Sequence, residues 1–179
     1  MVRKKILGEE RRQQILNKLL DEKIPVTGSE LADIMNVSRQ VIVNDISLLK
    51  ARNEPIIATS QGYLYIVNKT SAMMEKTVAC YHSPDRTEEE LNLLVDLGVM
   101  VKDVKIEHPV YGDLTASIRV SSRKDVKEFL KKIVNTKASL LSELTGGAHL
   151  HTLVAKDEKT LIQAEKALHM NGFLILTNE

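Results

Sequence analysis

A helix, a short turn and a second helix are predicted between residues 27 and 51, and this pattern constrains the fold more than any other in the chain. Thr27 is followed three residues later by Glu30, which is the capping-box signature of a helix start. Asn36 predicts a short turn because Asn tolerates left-handed backbone geometry. Ser38 then predicts the N-cap of the next helix. This order of elements is the helix-turn-helix plan.

The helix after Ser38 has two different faces. Ile42, Ile46 and Leu49 recur at helical spacing and predict a buried stripe. Side chains on the opposite face suit the major groove of DNA, where Arg pairs with guanine, Gln or Asn pairs with adenine, and an apolar group meets the thymine methyl. We therefore predict base-reading and backbone-contacting roles for Ser38, Arg39, Gln40, Val43, Asn44 and Ser47.

A hairpin is predicted to follow the helices, with strands at 56–59 and 63–67 joined by a turn at 60–62. Together with an apolar-periodic helix at 9–21, these elements predict a winged helix-turn-helix domain over residues 1–68. The alternative is a small helical domain whose polar face is only solvated. Basic side chains that can contact phosphate are Arg3, Lys4, Lys5, Arg11, Arg12, Arg39, Lys50 and Arg52.

Composition narrows the class of protein. Hydrophobic residues make up 43% of the 179 residues, so a sizeable core is possible. The net charge is only +1, which excludes binding to a partner through a large net charge. The single cysteine, Cys80, cannot form an intramolecular disulfide. No apolar run approaches the roughly 20 residues of a membrane span. We expect a soluble, cytoplasmic protein that does not bind membranes.

Residues 72–179 are predicted to form a second domain, after a polar linker at 67–71. Its elements alternate in the order strand, helix, strand, strand, helix, strand, helix, strand. This order predicts an α+β domain of two layers, with helices on one face of a mainly antiparallel sheet. The strands are predicted at 76–82, 101–107, 114–120, 149–155 and 173–176, and the helices at 87–97, 123–135 and 157–170.

Two histidines in the second domain suggest a metal site. His149 and His151 alternate with one residue between them, so both side chains lie on the same side of an extended strand. Two imidazoles on one side can bind one ion, and imidazole suits zinc, copper, iron or nickel. Gly146 and Gly147 allow a close turn into this strand. The alternative is a glycine turn into a strand whose histidines face water.

His82 and Glu90 can extend this pair. His82 ends the first predicted strand of the domain, and Glu90 lies in the first turn of the helix that follows. With His149 and His151, they make a set of three imidazoles and one carboxylate, which suits a borderline divalent ion with open positions for water. Periodicity does not show that the four side chains converge. Glu90 has a second possible role, completing a capping box with Thr87.

Three short runs carry a resemblance to a known family: Cys80-Tyr81-His82, His108-Pro109-Val110-Tyr111-Gly112 and Gly146-Gly147-Ala148-His149-Leu150-His151. They are similar to the three-histidine (3H) domain of niacin-responsive transcriptional repressors, and Val37-Ser38-Arg39-Gln40 is similar to part of the winged helix of those repressors. The resemblance covers nearly the whole chain.

The resemblance implies a second domain with a fold like that of the phosphocarrier protein HPr. It also implies a divalent transition metal, nickel or zinc, bound by His82, Glu90, His149 and His151. Members of the family repress genes of niacin uptake and NAD synthesis when nicotinic acid, the co-repressor, is abundant. They are expected to form homodimers on a palindromic operator of double-stranded DNA.

Nicotinic acid is expected to bind beside the metal ion. His108 and Tyr111 are predicted to form hydrogen bonds to the pyridine ring or to stack on it. Arg119 or Arg123 is predicted to bind the carboxylate. One alternative is a repressor for which the metal ion itself is the signal. The other alternative is a metal-dependent hydrolase fused to a DNA-binding domain. The sequence argues against a hydrolase because it has no motif that supplies a general base.

Overall fold

The computed structural model describes residues 8–66 and 73–175. The chain divides into two compact units, Met1–Lys69 and Thr70–Glu179. The predicted linker at 67–71 lies outside the described residues, as do Arg3, Lys4 and Lys5. In the part of the chain that the structure describes, every helix is too short or too polar to cross a bilayer.

The first unit is a winged helix-turn-helix, as predicted. Three helices precede a two-stranded antiparallel hairpin in which Ile56 pairs with Tyr65. The elements are α1 Gly8–Asp21, α2 Gly28–Met35, α3 Arg39–Ala51, β1 Ile56–Thr59 and β2 Gly62–Tyr65.

The predicted caps and turn of this unit are confirmed. The Thr27 hydroxyl accepts a hydrogen bond from the Glu30 amide at 3.1 Å and so starts α2. Asn36 ends α2 in the left-handed region, with φ of 52°. The Ser38 hydroxyl accepts from the amide of Val41 at 3.4 Å and starts α3. Local sequence signals therefore determine where both helices of the motif begin.

The core of the first unit holds α3 in place. Ile42, Ile46 and Leu49 are buried, as predicted, against apolar side chains of α1, α2 and β1. Asp45 is also buried, and it accepts hydrogen bonds from Arg11 at 2.6 Å and from Arg12 at 3.2 Å. These two arginines, predicted to contact phosphate, therefore tie α1 to α3.

Replacing Thr27 by Ala is expected to lower the free energy of unfolding of the first unit by about 1 kcal/mol, because the Glu30 amide loses its acceptor. Thr87→Val is the matched control. The buried Thr87 hydroxyl has no hydrogen-bond partner, so its replacement by a methyl group of similar shape should be neutral or stabilising. Urea denaturation of the full chain measures both. Equal losses in the two variants would contradict the capping role of Thr27.

The second unit is an α+β domain with an antiparallel sheet, as predicted, and the sheet has four strands where five were predicted. The strand order is β3-β6-β4-β5 and every neighbouring pair is antiparallel. One face of the sheet packs on apolar side chains of all three helices. The elements are β3 Met74–Tyr81, α4 Thr87–Asp96, β4 Met100–His108, β5 Gly112–Ala116, α5 Arg123–Thr136, β6 Ala148–Ala155 and α6 Glu158–Met170, with short 3₁₀ helices at Pro84–Arg86 and Leu141–Thr145.

Two strands of the second unit are shorter than predicted. The strand returning from the β4–β5 turn ends at Ala116, because Arg119 takes a φ of 50° that breaks the extended backbone. Val120 then makes a separate bridge to Val101. The predicted last strand is reduced to a bridge between Leu174 and Cys80 within the described residues.

The predicted capping box at Thr87 and Glu90 is wrong. A 3₁₀ turn at Pro84–Arg86 runs directly into α4, so the residue before Thr87 is already helical and no side chain caps this end. Thr87 is instead the first residue of α4 and is buried. The Glu90 side chain is therefore free for another role.

Candidate functional site

Strands β3 and β6 place the histidines on the inner face of the sheet. In their antiparallel register Cys80 lies opposite His149 and Val78 lies opposite His151. Because side chains alternate along a strand, His149 and His151 both face the helices. His82 directly follows β3, and all three imidazoles are buried, with at most 5% of each residue exposed.

The imidazoles converge on one carboxylate oxygen. Glu90 comes from the first turn of α4 and is fully buried. Its Oε2 lies 2.7 Å from Nε2 of His82, 3.3 Å from Nε2 of His151 and 3.5 Å from Nε2 of His149. The four side chains proposed from sequence as metal ligands are thus brought together by two strands and one helix.

The orientation of each imidazole is fixed by its other ring nitrogen. A carbonyl oxygen only accepts, so each Nδ1 that bonds to one carries a proton, and a metal ion that displaces the proton from Nε2 can bind the lone pair there. A hydrogen bond from Nδ1 to a backbone carbonyl is typical of metal-ligating histidines. The acceptors, each 2.8 Å from Nδ1, are the carbonyls of Ser83 for His82, Gly147 for His149 and Asp103 for His151.

The electrostatics of the site favour a cation. Burial alone would raise the pKa of Glu90, but the charge of His151 and the hydrogen bonds from the imidazoles hold this pKa well below its usual value. Burial would lower the pKa values of His82 and His151, yet the Glu90 carboxylate raises both. The second oxygen of Glu90, Oε1, is buried without a hydrogen-bond partner. Three Nε2 atoms, an ionised carboxylate and this orphaned oxygen fit a divalent ion.

The two glycines before β6 set the distance between the strands. Gly146 and Gly147 both have positive φ, 64° and 107°. A Cβ atom on Gly147 would lie 2.5 Å from the backbone oxygen of His82, whereas one on Gly146 would meet nothing within 4 Å. The absence of a side chain at Gly147 therefore lets β6 begin against the backbone of His82, with the rings of His82 and His149 only 4.9 Å apart.

A cavity of about 30 Å³ lies beside the imidazoles. Phe129 of α5 and Leu141 of the second 3₁₀ helix supply apolar wall. Thr87 and Ser142 supply hydroxyl groups, and that of Thr87 has no hydrogen-bond partner. The cavity thus offers a small ligand an apolar surface, a hydroxyl and access to the imidazoles.

The four side chains predicted to bind the co-repressor lie elsewhere. His108 and Tyr111 stack on each other at the β4–β5 turn, with ring centroids 4.9 Å apart, and Tyr111 is 73% exposed. Arg123 pairs with Asp96 on the surface. None of these residues, nor Arg119, lines the described part of the cavity.

One residue of the cluster was missed from sequence. The thiol of Cys80, a carboxylate oxygen of Glu90 and a ring nitrogen of His149 all lie within 4.8 Å of one another. Cys80 precedes His82 by two positions on the same strand, so the alternation that pairs His149 with His151 also places Cys80 on the inner face.

Two family models match the chain, one in each unit. Residues 75–177 match the 3H domain, and residues 11–64 match an HTH domain. The chain belongs to the 3H-domain family.

Two curated relatives of this 3H-domain chain extend over nearly its whole length. Transcription repressor NadR of Bacillus subtilis is 60% identical over 173 residues, which is 96% of both chains. Probable transcription repressor NiaR of Thermotoga maritima is 40% identical over 171 residues, 96% of this chain and 97% of the relative. These relatives confirm the prediction of a transcription regulator over that of an enzyme.

The outer face of α3 is the candidate nucleic-acid interface of this 3H-domain protein. Ser38, Arg39, Gln40, Asn44 and Ser47 are exposed on it, and Val43 is half-buried. Three of its polar side chains already form hydrogen bonds within the helix. Nε2 of Gln40 donates to Oδ1 of Asn44 at 3.1 Å, and the Ser47 hydroxyl donates to the carbonyl of Val43 at 2.9 Å.

Proposed function

We propose that this chain is a transcription repressor of niacin uptake and NAD synthesis genes that binds nicotinic acid, its co-repressor, at a divalent metal centre. The observation that carries the proposal is the convergence of three Nδ1-anchored imidazoles on Glu90 beside a small cavity. NadR is named as a transcription repressor and NiaR as a probable one, and each matches 96% of the chain. The protein acts in the cytoplasm, where the DNA is.

The ion, nickel or zinc, would be held by Nε2 of His82, His149 and His151 and by the Glu90 carboxylate. When bound, it supplies an electrophilic centre that accepts a carboxylate or a pyridine nitrogen as a further ligand. The chain's own contribution is the shape of the cavity. Phe129 offers the aromatic ring a surface to pack on, and the unpartnered hydroxyl of Thr87 can donate to the carboxylate.

Regulation requires two states with different affinities for DNA. A ligand changes an equilibrium only through its preference for one of the two states. In a homodimer, nicotinic acid would favour the placement of the two winged helices that matches the two half-sites of a palindromic operator. The exposed face of α3 then reads base edges, with Arg39 and Asn44 as the readers of guanine and adenine.

Operator binding in the presence of nicotinate tests the proposal. With saturating zinc or nickel, nicotinate is expected to raise the affinity of the full chain for its own upstream DNA by at least about 5-fold, the lower end of common allosteric couplings. Fluorescence anisotropy measures this affinity, with nicotinamide, which lacks the carboxylate, as the control ligand. Arg39→Ala checks that the measured binding uses α3.

Two results would argue against this function. If the metal ion alone gives full affinity and nicotinate adds nothing, the chain is a metal-sensing repressor. If a chelator leaves the response to nicotinate unchanged, the ligand does not depend on the metal centre.

A further inference from the structure

We propose that Cys80 is a thiolate ligand of the metal centre, in addition to the three imidazoles and Glu90. The inference rests on the proposed metal centre and adds a residue that lies outside the predicted ligand set. It concerns which atoms hold the ion, so it stands or falls separately from the response to nicotinic acid.

The position of Cys80 in the sheet carries the proposal. Cys80 is fully buried on the inner face of β3, directly across from His149 and two positions before His82. Its Sγ is within 4.8 Å of both a Glu90 oxygen and a His149 ring nitrogen. Ligand atoms stand about 2.0–2.3 Å from a zinc ion, so two of them are separated by at most about 4.5 Å. The thiol therefore lies close enough to Glu90 and His149 to share an ion with them.

The charge balance of the site also favours a thiolate at Cys80. A divalent ion held by neutral imidazoles and the Glu90 carboxylate leaves one positive charge in excess, and this charge would be buried, since the ligands are at most 5% exposed. An unpaired charge away from water is costly. When no nicotinate is bound, a thiolate at Cys80 cancels the excess. The thiol proton passes to solvent when the S–metal bond forms, as in other cysteine sites.

A thiolate also changes which ion the site prefers. Soft sulfur ligands favour zinc, nickel and cobalt over hard ions such as magnesium and manganese. The proposed set of nitrogen, oxygen and sulfur atoms is consistent with the borderline ions expected from the imidazoles.

Cobalt(II) binding to the full-length protein tests the assignment. A thiolate bound to cobalt(II) absorbs in the near ultraviolet through charge transfer from sulfur to the metal, and imidazole or carboxylate ligands do not produce this band. Cys80 is the only cysteine in the chain, so the band can arise from no other residue. We expect the wild-type protein to develop it in proportion to bound cobalt, up to one ion per chain.

Variants then link the band to the ion's affinity. Cys80→Ser and Cys80→Ala are expected to bind cobalt at least about 100-fold more weakly and without the band, whereas His169→Ala, which changes an exposed histidine, should leave both unchanged. Far-ultraviolet circular dichroism checks that the variants fold. Wild-type protein that binds cobalt without the band would overturn the role of Cys80 and leave the metal centre standing. Wild-type protein that binds no cobalt would overturn both.

Discussion

Replacing Glu90 by Gln is expected to weaken metal binding by at least about 100-fold and to abolish the effect of nicotinate on DNA affinity. The reason is that Oε2 of Glu90 faces the Nε2 atoms of His82, His149 and His151 from within 3.5 Å. Removing its charge leaves the imidazoles without the anion that offsets a divalent ion. Loss of a group that only forms a hydrogen bond to a metal ligand commonly weakens metal binding 10- to 100-fold, so loss of a ligand itself should cost more.

The neighbouring residue provides a matched control. Glu89 carries the same side chain on the same helix, but it is exposed and pairs with Arg86 at 3.0 Å. Glu89→Gln should therefore bind zinc or nickel like the wild type. Competition against a chromophoric chelator gives the metal affinity, and anisotropy with operator DNA gives the response to nicotinate. A Glu90→Gln variant that keeps wild-type metal affinity would refute the metal centre.

The Glu90→Gln variant also separates DNA binding from metal binding in the proposed mechanism. The α3 face and the metal centre lie in different compact units. Glu90→Gln should therefore leave basal DNA binding, measured with a chelator present, close to that of the wild type. If basal binding is also lost, Glu90 is needed for folding of the regulatory unit rather than for metal binding alone.

The winged helix was predictable from sequence because its signals are local. Thr27, Asn36 and Ser38 each act on amides or backbone angles within a few residues. The buried stripe of α3 follows from helical periodicity alone. No long-range pairing has to be known before these elements can be placed.

The convergence of the three histidines and Glu90 was only half predictable, for a physical reason. Alternation along a strand puts His149 and His151 on one side, and this requires no knowledge of the sheet. The position of His82 beside these two histidines depends on the register of β3 against β6, and this register pairs residues far apart in sequence. The capping-box reading of Glu90 failed because a 3₁₀ turn leads into α4, and periodicity does not detect such a turn.

The predicted contacts to nicotinic acid lie away from the cavity beside the imidazoles. His108 and Tyr111 were chosen because they lie in a run similar to the 3H family, but the β4–β5 turn carries them to an exposed tip. The cavity walls come instead from α5 and the 3₁₀ helix before β6. Residues such as Phe129 and Ser142 have no sequence signal of their own, because only the packing of helices on the sheet brings them to the imidazoles.

Gly147→Ala is expected to have the second large effect, lowering the free energy of unfolding of the regulatory unit by at least about 3 kcal/mol. A residue with a side chain in a sparsely populated backbone region costs about 1–3 kcal/mol. At Gly147, with φ of 107°, a further cost arises because the new Cβ would lie 2.5 Å from the His82 backbone oxygen. To relieve this contact, the start of β6 must move away from His82.

That movement should also weaken the metal centre, since the Gly147 carbonyl fixes the ring of His149 through Nδ1. Gly146→Ala is the control. Its φ of 64° is also left-handed, but a Cβ there meets nothing within 4 Å, so about 1–2 kcal/mol and unchanged metal affinity are expected. Urea denaturation without metal gives the stabilities, and chelator competition gives the affinities. Similar losses in both variants would mean that left-handed strain, and not the approach of β6 to His82, makes Gly147 necessary.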